Sequence, residues 1–171
     1  MDQPAPNTPS PGDSAPEISL PDDTGALRSL AERRGHWTVL YFYPKDDTPG
    51  CTTEACEFRD GYAEFRARDA EIWGVSVLGT ASKAAFKRKF ELPFVLLADA
   101  NHVAAERYGT WVEKSNYGRS YMGIARATFL VDPDGRIAHS WPRVKAAGHA
   151  AEVLTVLDSA QAGRSTRGTG K

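Results

Sequence analysis

Only two of the 171 residues are cysteine and only four are histidine, and no stretch approaches the ~20 consecutive apolar residues of a membrane-spanning helix. The most apolar run, Trp37 to Tyr43, is short and closed by Pro44. Two cysteines are too few for a secreted disulfide scaffold, and two cysteines without a neighbouring histidine are too few for a tetrahedral zinc site. Neither sign of charge is in excess: 21 Lys and Arg stand against 22 Asp and Glu, a formal charge of −1 with His neutral. No basic stripe is available to neutralise phosphates, so no nucleic-acid partner is expected, and no membrane partner either. The opening MDQPAPNTPSPGDSAP has neither a basic region nor an apolar core of the kind a secretory signal needs, which makes a cytoplasmic address the expectation.

The length and the 41% hydrophobic fraction suit one ordinary domain with a sizeable core. Five of the eleven prolines fall within residues 1–16, where almost nothing large and apolar accompanies them, so residues 1–14 are expected to form a disordered arm. The closing AGRSTRGTGK, residues 162–171, reads as a flexible tail. The domain itself is expected over 15–161.

Within it, strand and helix signals alternate. Trp37 to Tyr43 suits a central strand covered on both faces. From Pro49 onward Cys51, Ala55, Phe58, Tyr62 and Phe65 recur at steps of four and three, the stripe of an amphipathic helix. Strands are expected at Glu71–Val77 and Phe94–Ala98, a helix capped by Thr80 and closed by Pro93 between them, and a short helix over Asn101–Tyr108. Asp132-Pro133-Asp134-Gly135 marks a hairpin between strands at 126–131 and 137–141, and Ala147 to Ala160 a last helix. A small extra hairpin is expected N-terminally, around Asp22-Asp23-Thr24-Gly25. This order implies an α/β fold with a central mixed β-sheet and helices on both faces. It is compatible with a thioredoxin-like sandwich, although other α/β folds share such strings.

The segment Pro44-Lys45-Asp46-Asp47-Thr48-Pro49-Gly50-Cys51 runs from the central strand into a helix. Thr48 suits the N-cap, Pro49 the first helical position, and Cys51 then falls in the first turn, where helix dipole and unpaired N–H groups favour a thiolate. A buried structural cysteine is the alternative. Cys56 lies five residues on, which along a helix separates the two Cα atoms by roughly 8–9 Å and puts them on different faces. A disulfide needs less than about 7 Å, so any such bond requires the first turns to unwind. The spacing is not the C-x-x-C of a dithiol reductase.

The string FYPKDDTPGCTTEACEFRD resembles the active-site segment of peroxiredoxins, with Pro44, Thr48 and Cys51 matching their P-x-x-x-T-x-x-C signature. The second cysteine resembles that of the bacterioferritin-comigratory-protein or PrxQ subfamily, the atypical two-cysteine type. Similarity continues through LPDDTG, WVEKSNYGRSYMGIARATFLVDPDGRI and WPRVKAAGHAAEVL, covering roughly Ala15 to Ala160. The resemblance implies a thioredoxin-like fold, Cys51 as peroxidatic nucleophile and Cys56 as resolving thiol. It implies that Arg126 is the active-site arginine, that Thr48 hydrogen-bonds the reacting centre and that Pro44 shields it. Taken singly, an N-cap, a strand terminator and a strand-end ion pair would explain Thr48, Pro44 and Arg126. Glu54 is left open, since a carboxylate in a first turn is stabilising on dipole grounds alone.

The activity implied is reduction of hydrogen peroxide and alkyl hydroperoxides, with a Cys51 sulfenic acid passed to a Cys51–Cys56 disulfide and thioredoxin as reductant. No metal, flavin, haem or other cofactor is implied, and the subfamily suggests a monomer. One alternative is a peroxide sensor or redox-switched binding protein using the same disulfide. Another is a thioredoxin-like reductase, disfavoured because Ala127-Thr128 stand where thioredoxins carry a cis-proline.

Overall fold

A computed structural model describes residues 7–169, with side chains as far as Arg164. Five strands form the central sheet: β3 (Trp37–Phe42), β4 (Ala70–Ser76), β5 (Val95–Ala98), β8 (Ala127–Val131) and β9 (Ile137–Trp141). Their order is β5-β4-β3-β8-β9, with β3, β4 and β5 parallel and β8 and β9 antiparallel additions. Every residue of β3 is buried, as its unbroken apolar run requires of a central strand.

Side-chain alternation along β3 divides the core. Trp37, Val39, Tyr41 and Tyr43 pack with Ala55, Phe58 and Phe65 of α1 (Pro49–Ala67), Phe86 of α2 (Thr80–Phe90) and Val153 and Leu157 of α4 (His149–Thr169). Leu40 and Phe42 point the other way, toward Ala104, Ala105 and Tyr108 in and beside α3 (Val103–Arg107), with Ile18 and Leu30 completing that layer. The result is a thioredoxin-like α/β sandwich with helices on both faces of a mixed sheet. The N-terminal hairpin is present as β1 (Ser19–Pro21) and β2 (Leu27–Ser29), its turn held by the Asp22 carboxylate, which accepts from Thr24 N–H at 2.8 Å.

Asp132 closes the β8–β9 turn by accepting from the N–H groups of Asp134 and Arg136, at 2.9 and 3.0 Å, with Gly135 at φ +79°. Thr80 is the first helical residue of α2 and Gly79 holds its N-cap, one position from the expected cap. The Asp99 carboxylate accepts from the backbone of Ala104 and Ala105 and so caps α3.

Three features depart from the sequence reading. A second hairpin, β6 (Trp111–Asn116) and β7 (Arg119–Ile124), occupies a stretch where no strand is expected. Of the arm expected over 1–14, residues 1–6 lie outside the described residues, but residues 7–14 run along the domain. There Gly12 N–H donates to Ile137 O and Ile137 N–H to Asp13 O, each at 2.8 Å, and the Asn7 amide donates to Glu106 O. Backbone pairing orders this segment, together with burial of Pro9 and the packing of Thr8 against Gly109. The tail expected over 162–171 is helical backbone to Thr169, with residues 170–171 outside the described residues. Gln161 donates to Arg68 O at 2.6 Å and Arg164 pairs with Asp134 at 2.9 Å, so the helix end is tied to the domain by polar contacts.

Candidate active site

The link from β3 to α1 delivers a cysteine to the first turn of a helix. Thr48 takes extended N-cap backbone (φ −104°, ψ 157°), Pro49 starts the helix, and Thr52 N–H donates to Thr48 O at 2.8 Å. The Thr48 hydroxyl makes no cap bond; it donates to Lys45 O at 3.0 Å, folding the loop onto itself. Pro44, half-buried, stands two residues past the end of β3. Cys51 is 1% exposed, Cys56 is half-buried, and neither is in a disulfide. Both lie in intact α1, so geometry of a regular helix keeps them apart.

Arg126 arrives one residue before β8, the strand paired directly with β3. Its backbone is fixed on both flanks, with Ala125 N–H donating to Thr110 O at 2.7 Å and Val144 N–H to Arg126 O at 3.0 Å. Nη2 lies 3.5 Å from Cys51 Sγ, and Nη1 lies 2.7 Å from Glu54 Oε1. Cys51 and Glu54 are three residues apart on a helix and share a face, so one guanidinium reaches both. At Gly50 a Cβ would stand 2.9 Å from Arg126 Nη2, closer than a real methyl approaches, so a side chain there would push the end of the arginine from its present place over α1.

Glu54 is buried, and burial raises its carboxyl from 4.5 to about 7 against the opposing pull of Arg126. Its Oε2 has no hydrogen-bond partner among the described residues. Burial pulls the Arg126 guanidinium down, but Glu54 and the Cys51 sulfur outweigh it and hold it above its ordinary value. Beside Arg126 opens a cavity of about 470 Å³ lined by Lys114, Val112, Phe129, Val144 and Thr8. The Lys114 ammonium is lowered by burial first and then by Arg126, and raised by Cys51.

Cys51 and Arg126, expected together, are thus in contact. Thr48 is engaged with Lys45, Pro44 stands in the link after β3, and Cys56 lies five residues further along α1. Lys114 is an addition that the sequence reading did not single out, and at Gly50, expected to serve through its backbone, the missing side chain matters as well. Gly50 was legible in principle, as a glycine in a helix's first turn beside the cysteine.

A buried thiol with a fixed cation against its sulfur, carried on a thioredoxin-like sheet, defines a protein of thiol-based redox chemistry. Similarity to known proteins narrows the class. The chain belongs to the AhpC/TSA family, whose model matches residues 11–140, and it is a peroxiredoxin, a thiol-dependent peroxidase. It is 48% identical over 146 residues to Peroxiredoxin Bcp of Bacillus subtilis, covering 85% of this chain and 93% of that one. It is 40% identical over 146 residues to Peroxiredoxin Bcp of Escherichia coli K12, covering 85% and 94%. The structure of Xanthomonas campestris bacterioferritin comigratory protein, solved to study alkyl peroxide reduction, superposes with a TM-score of 0.81 at 37% identity, covering 91% of this chain and 98% of that one.

Proposed function

We propose that the chain reduces hydrogen peroxide and organic hydroperoxides through Cys51 as the attacking thiolate. The observation that carries this reading is the 3.5 Å approach of Arg126 Nη2 to Cys51 Sγ at the start of α1. The Cys51 sulfur forms a bond to one peroxide oxygen, the O–O bond breaks, and water or an alcohol leaves, giving a Cys51 sulfenic acid.

Ionisation supplies only a small part of the acceleration. A free thiol of pKa ~8.5 is about 3% thiolate at pH 7, so complete ionisation gains at most ~30-fold, near 2 kcal/mol. The larger part comes from stabilising the negative charge that develops on the leaving oxygen. Arg126 supplies a guanidinium there, and the backbone N–H groups at Gly50 and Cys51 and the Thr48 hydroxyl supply further donors once the Thr48 hydroxyl turns from Lys45. Pro44 shields the sulfur from water. The cavity beside Arg126 leaves room for an organic substituent, which supports organic hydroperoxides as substrates alongside hydrogen peroxide.

Cys56 then attacks the sulfenic acid, an S–S bond forms and water leaves, after the first turns of α1 unwind. Pro49, Gly50, Thr52 and Thr53 are weak helix formers in that stretch, which lowers the cost of unwinding. An external dithiol reduces the disulfide, and thioredoxin is the reductant proposed. A monomer in the cytoplasm, with residues 15–161 as the catalytic unit, completes the reading. The test is peroxide turnover coupled to thioredoxin and its reductase. Cys51→Ser is expected to abolish it and Cys56→Ser to keep the first oxidation while losing recycling; full turnover in Cys51→Ser overturns the assignment.

A further inference from the structure

The link between β3 and α1 is held by a buried charge that the reaction itself does not use. The Lys83 side chain, on α2, is 0% exposed, and its partner Asp46, in the link, is 3% exposed. Lys83 Nζ lies 3.0 Å from Asp46 Oδ2, donates to Ser76 Oγ at 2.6 Å and stands 5.5 Å from the centre of the Tyr43 ring. Asp46 also accepts from the Tyr43 hydroxyl at 2.5 Å and from the Ser82 hydroxyl at 2.7 Å. The carboxylate is therefore met by four donors: Tyr43 just past the end of β3, Ser82 and Lys83 from α2, and, at 3.5 Å, the Ser76 hydroxyl at the end of β4. On the same helix Lys87 and Lys89 keep 31% and 59% of their side chains exposed, so burial of Lys83 is particular to its place.

That place is the support of the reactive cysteine. Asp46 lies five residues before Cys51, and the next residue, Asp47, has left-handed backbone at φ +58°, a tight turn that aspartate tolerates better than most residues. We propose that Lys83 is a positioning residue: through Asp46 it holds the β3–α1 link, and with it Cys51, in the peroxide-reactive arrangement, and so sets how readily the first turns of α1 unwind toward Cys56. This rests on the two-cysteine cycle proposed above.

The direction follows from burial of charge. With Lys83 present, lifting the link off α2 strands a lysine in the core without its counter-charge, which opposes unwinding. With an apolar residue at 83, the docked link instead buries a carboxylate that has lost its cation, and unwinding relieves it by returning Asp46 to water. The two fates of the Cys51 sulfenic acid compete on this balance. In one, Cys56 attacks, the S–O bond breaks and water leaves. In the other, the sulfenate attacks a second hydroperoxide, the O–O bond breaks, and sulfinate forms as water or an alcohol leaves.

The experiment titrates the reduced full chain and its Lys83→Met variant with hydrogen peroxide and reads disulfide and sulfinate by intact mass, alongside Tm. In Lys83→Met the peroxide concentration that gives equal amounts of the two is expected to rise at least about tenfold. Adding Asp46→Asn to that variant removes the buried charge and is expected to bring the partition back to within about threefold of wild type. A purely structural role lowers Tm and leaves the partition where it was. Should Lys83→Met fail to fold, Ser82→Ala, which removes one donor to Asp46, is expected to shift the partition the same way by about two- to tenfold. A normal wild-type partition that these variants leave unmoved, or that Asp46→Asn does not restore, overturns the inference alone. A wild-type chain that forms no Cys51–Cys56 disulfide overturns the two-cysteine cycle and this inference with it.

Discussion

Arg126 Nη2 lies 3.5 Å from Cys51 Sγ, and this contact joins the residue ahead of β8 to the first turn of α1 across the end of the sheet. Arg126→Met keeps most of the side-chain volume and removes the cation. The second-order rate constant for peroxide consumption, measured by stopped flow, is expected to fall by about 10²–10³, the cost of losing one pre-organised donor to a developing oxyanion. A loss under about fivefold would contradict the role proposed for Arg126.

Gly50→Ala separates positioning from folding. The added methyl meets Nη2 of Arg126, a guanidinium whose Nη1 is held by Glu54. Activity is expected to drop at least about tenfold, because displacing a catalytic group by ångströms is costly. Stability is expected to stay level or rise slightly, since alanine is the better helix former. Parallel kinetics and thermal unfolding would check this, and full activity in Gly50→Ala would contradict it.

Glu54 gives the fold a pH dependence of definite sign. Burial holds its carboxyl at about 7 in the folded chain against 4.5 in the unfolded one, so the native state keeps a proton that the unfolded state releases. Its contribution is complete below pH 4.5 and is lost as pH rises through 7, a change of about 3 kcal/mol. Urea unfolding of reduced wild type and Glu54→Gln between pH 4 and roughly pH 8 should show wild type losing stability relative to the variant as pH rises. Parallel curves would contradict the burial assigned to Glu54.

Phe58 anchors α1 to the sheet, fully buried against Tyr41, Phe65, Phe94 and the His149 ring. Phe58→Ala is expected to cost about 3–5 kcal/mol in denaturant unfolding, the cavity that a large aromatic leaves in a core. A loss below about 1 kcal/mol would mean that the site collapses around the gap.

Most of the frame was legible because burial writes itself into residue pattern. Trp37–Tyr43 is apolar on both faces and became the central strand; the stripe from Cys51 to Phe65 became the buried face of α1. The β6–β7 hairpin was not legible, because its strands are largely exposed and are held by backbone pairing, as with Glu113 opposite Met122. Residues 7–14, exposed but for Thr8 and Pro9, escaped for the same reason. In the site, Cys51 and Arg126 were readable as a pair, whereas the Thr48 hydroxyl bonds Lys45 in place of the helix. Lys83 looked like one more solvated cation in KAAFKRKF, yet it stands three residues before Phe86 and seven before Phe90, on the apolar face of α2, and that spacing was the available signal.

The central claim is that one peroxide is consumed at Cys51 and its oxidation passes to Cys56. The most direct measurement is intact mass with peptide mapping of the reduced chain after one equivalent of hydrogen peroxide, repeated after thioredoxin and its reductase. The expected result is loss of two hydrogens mapped to a Cys51–Cys56 link and their return with thioredoxin. A Cys51 that remains a thiol, or an oxidised Cys51 that never bonds to Cys56, would contradict the account.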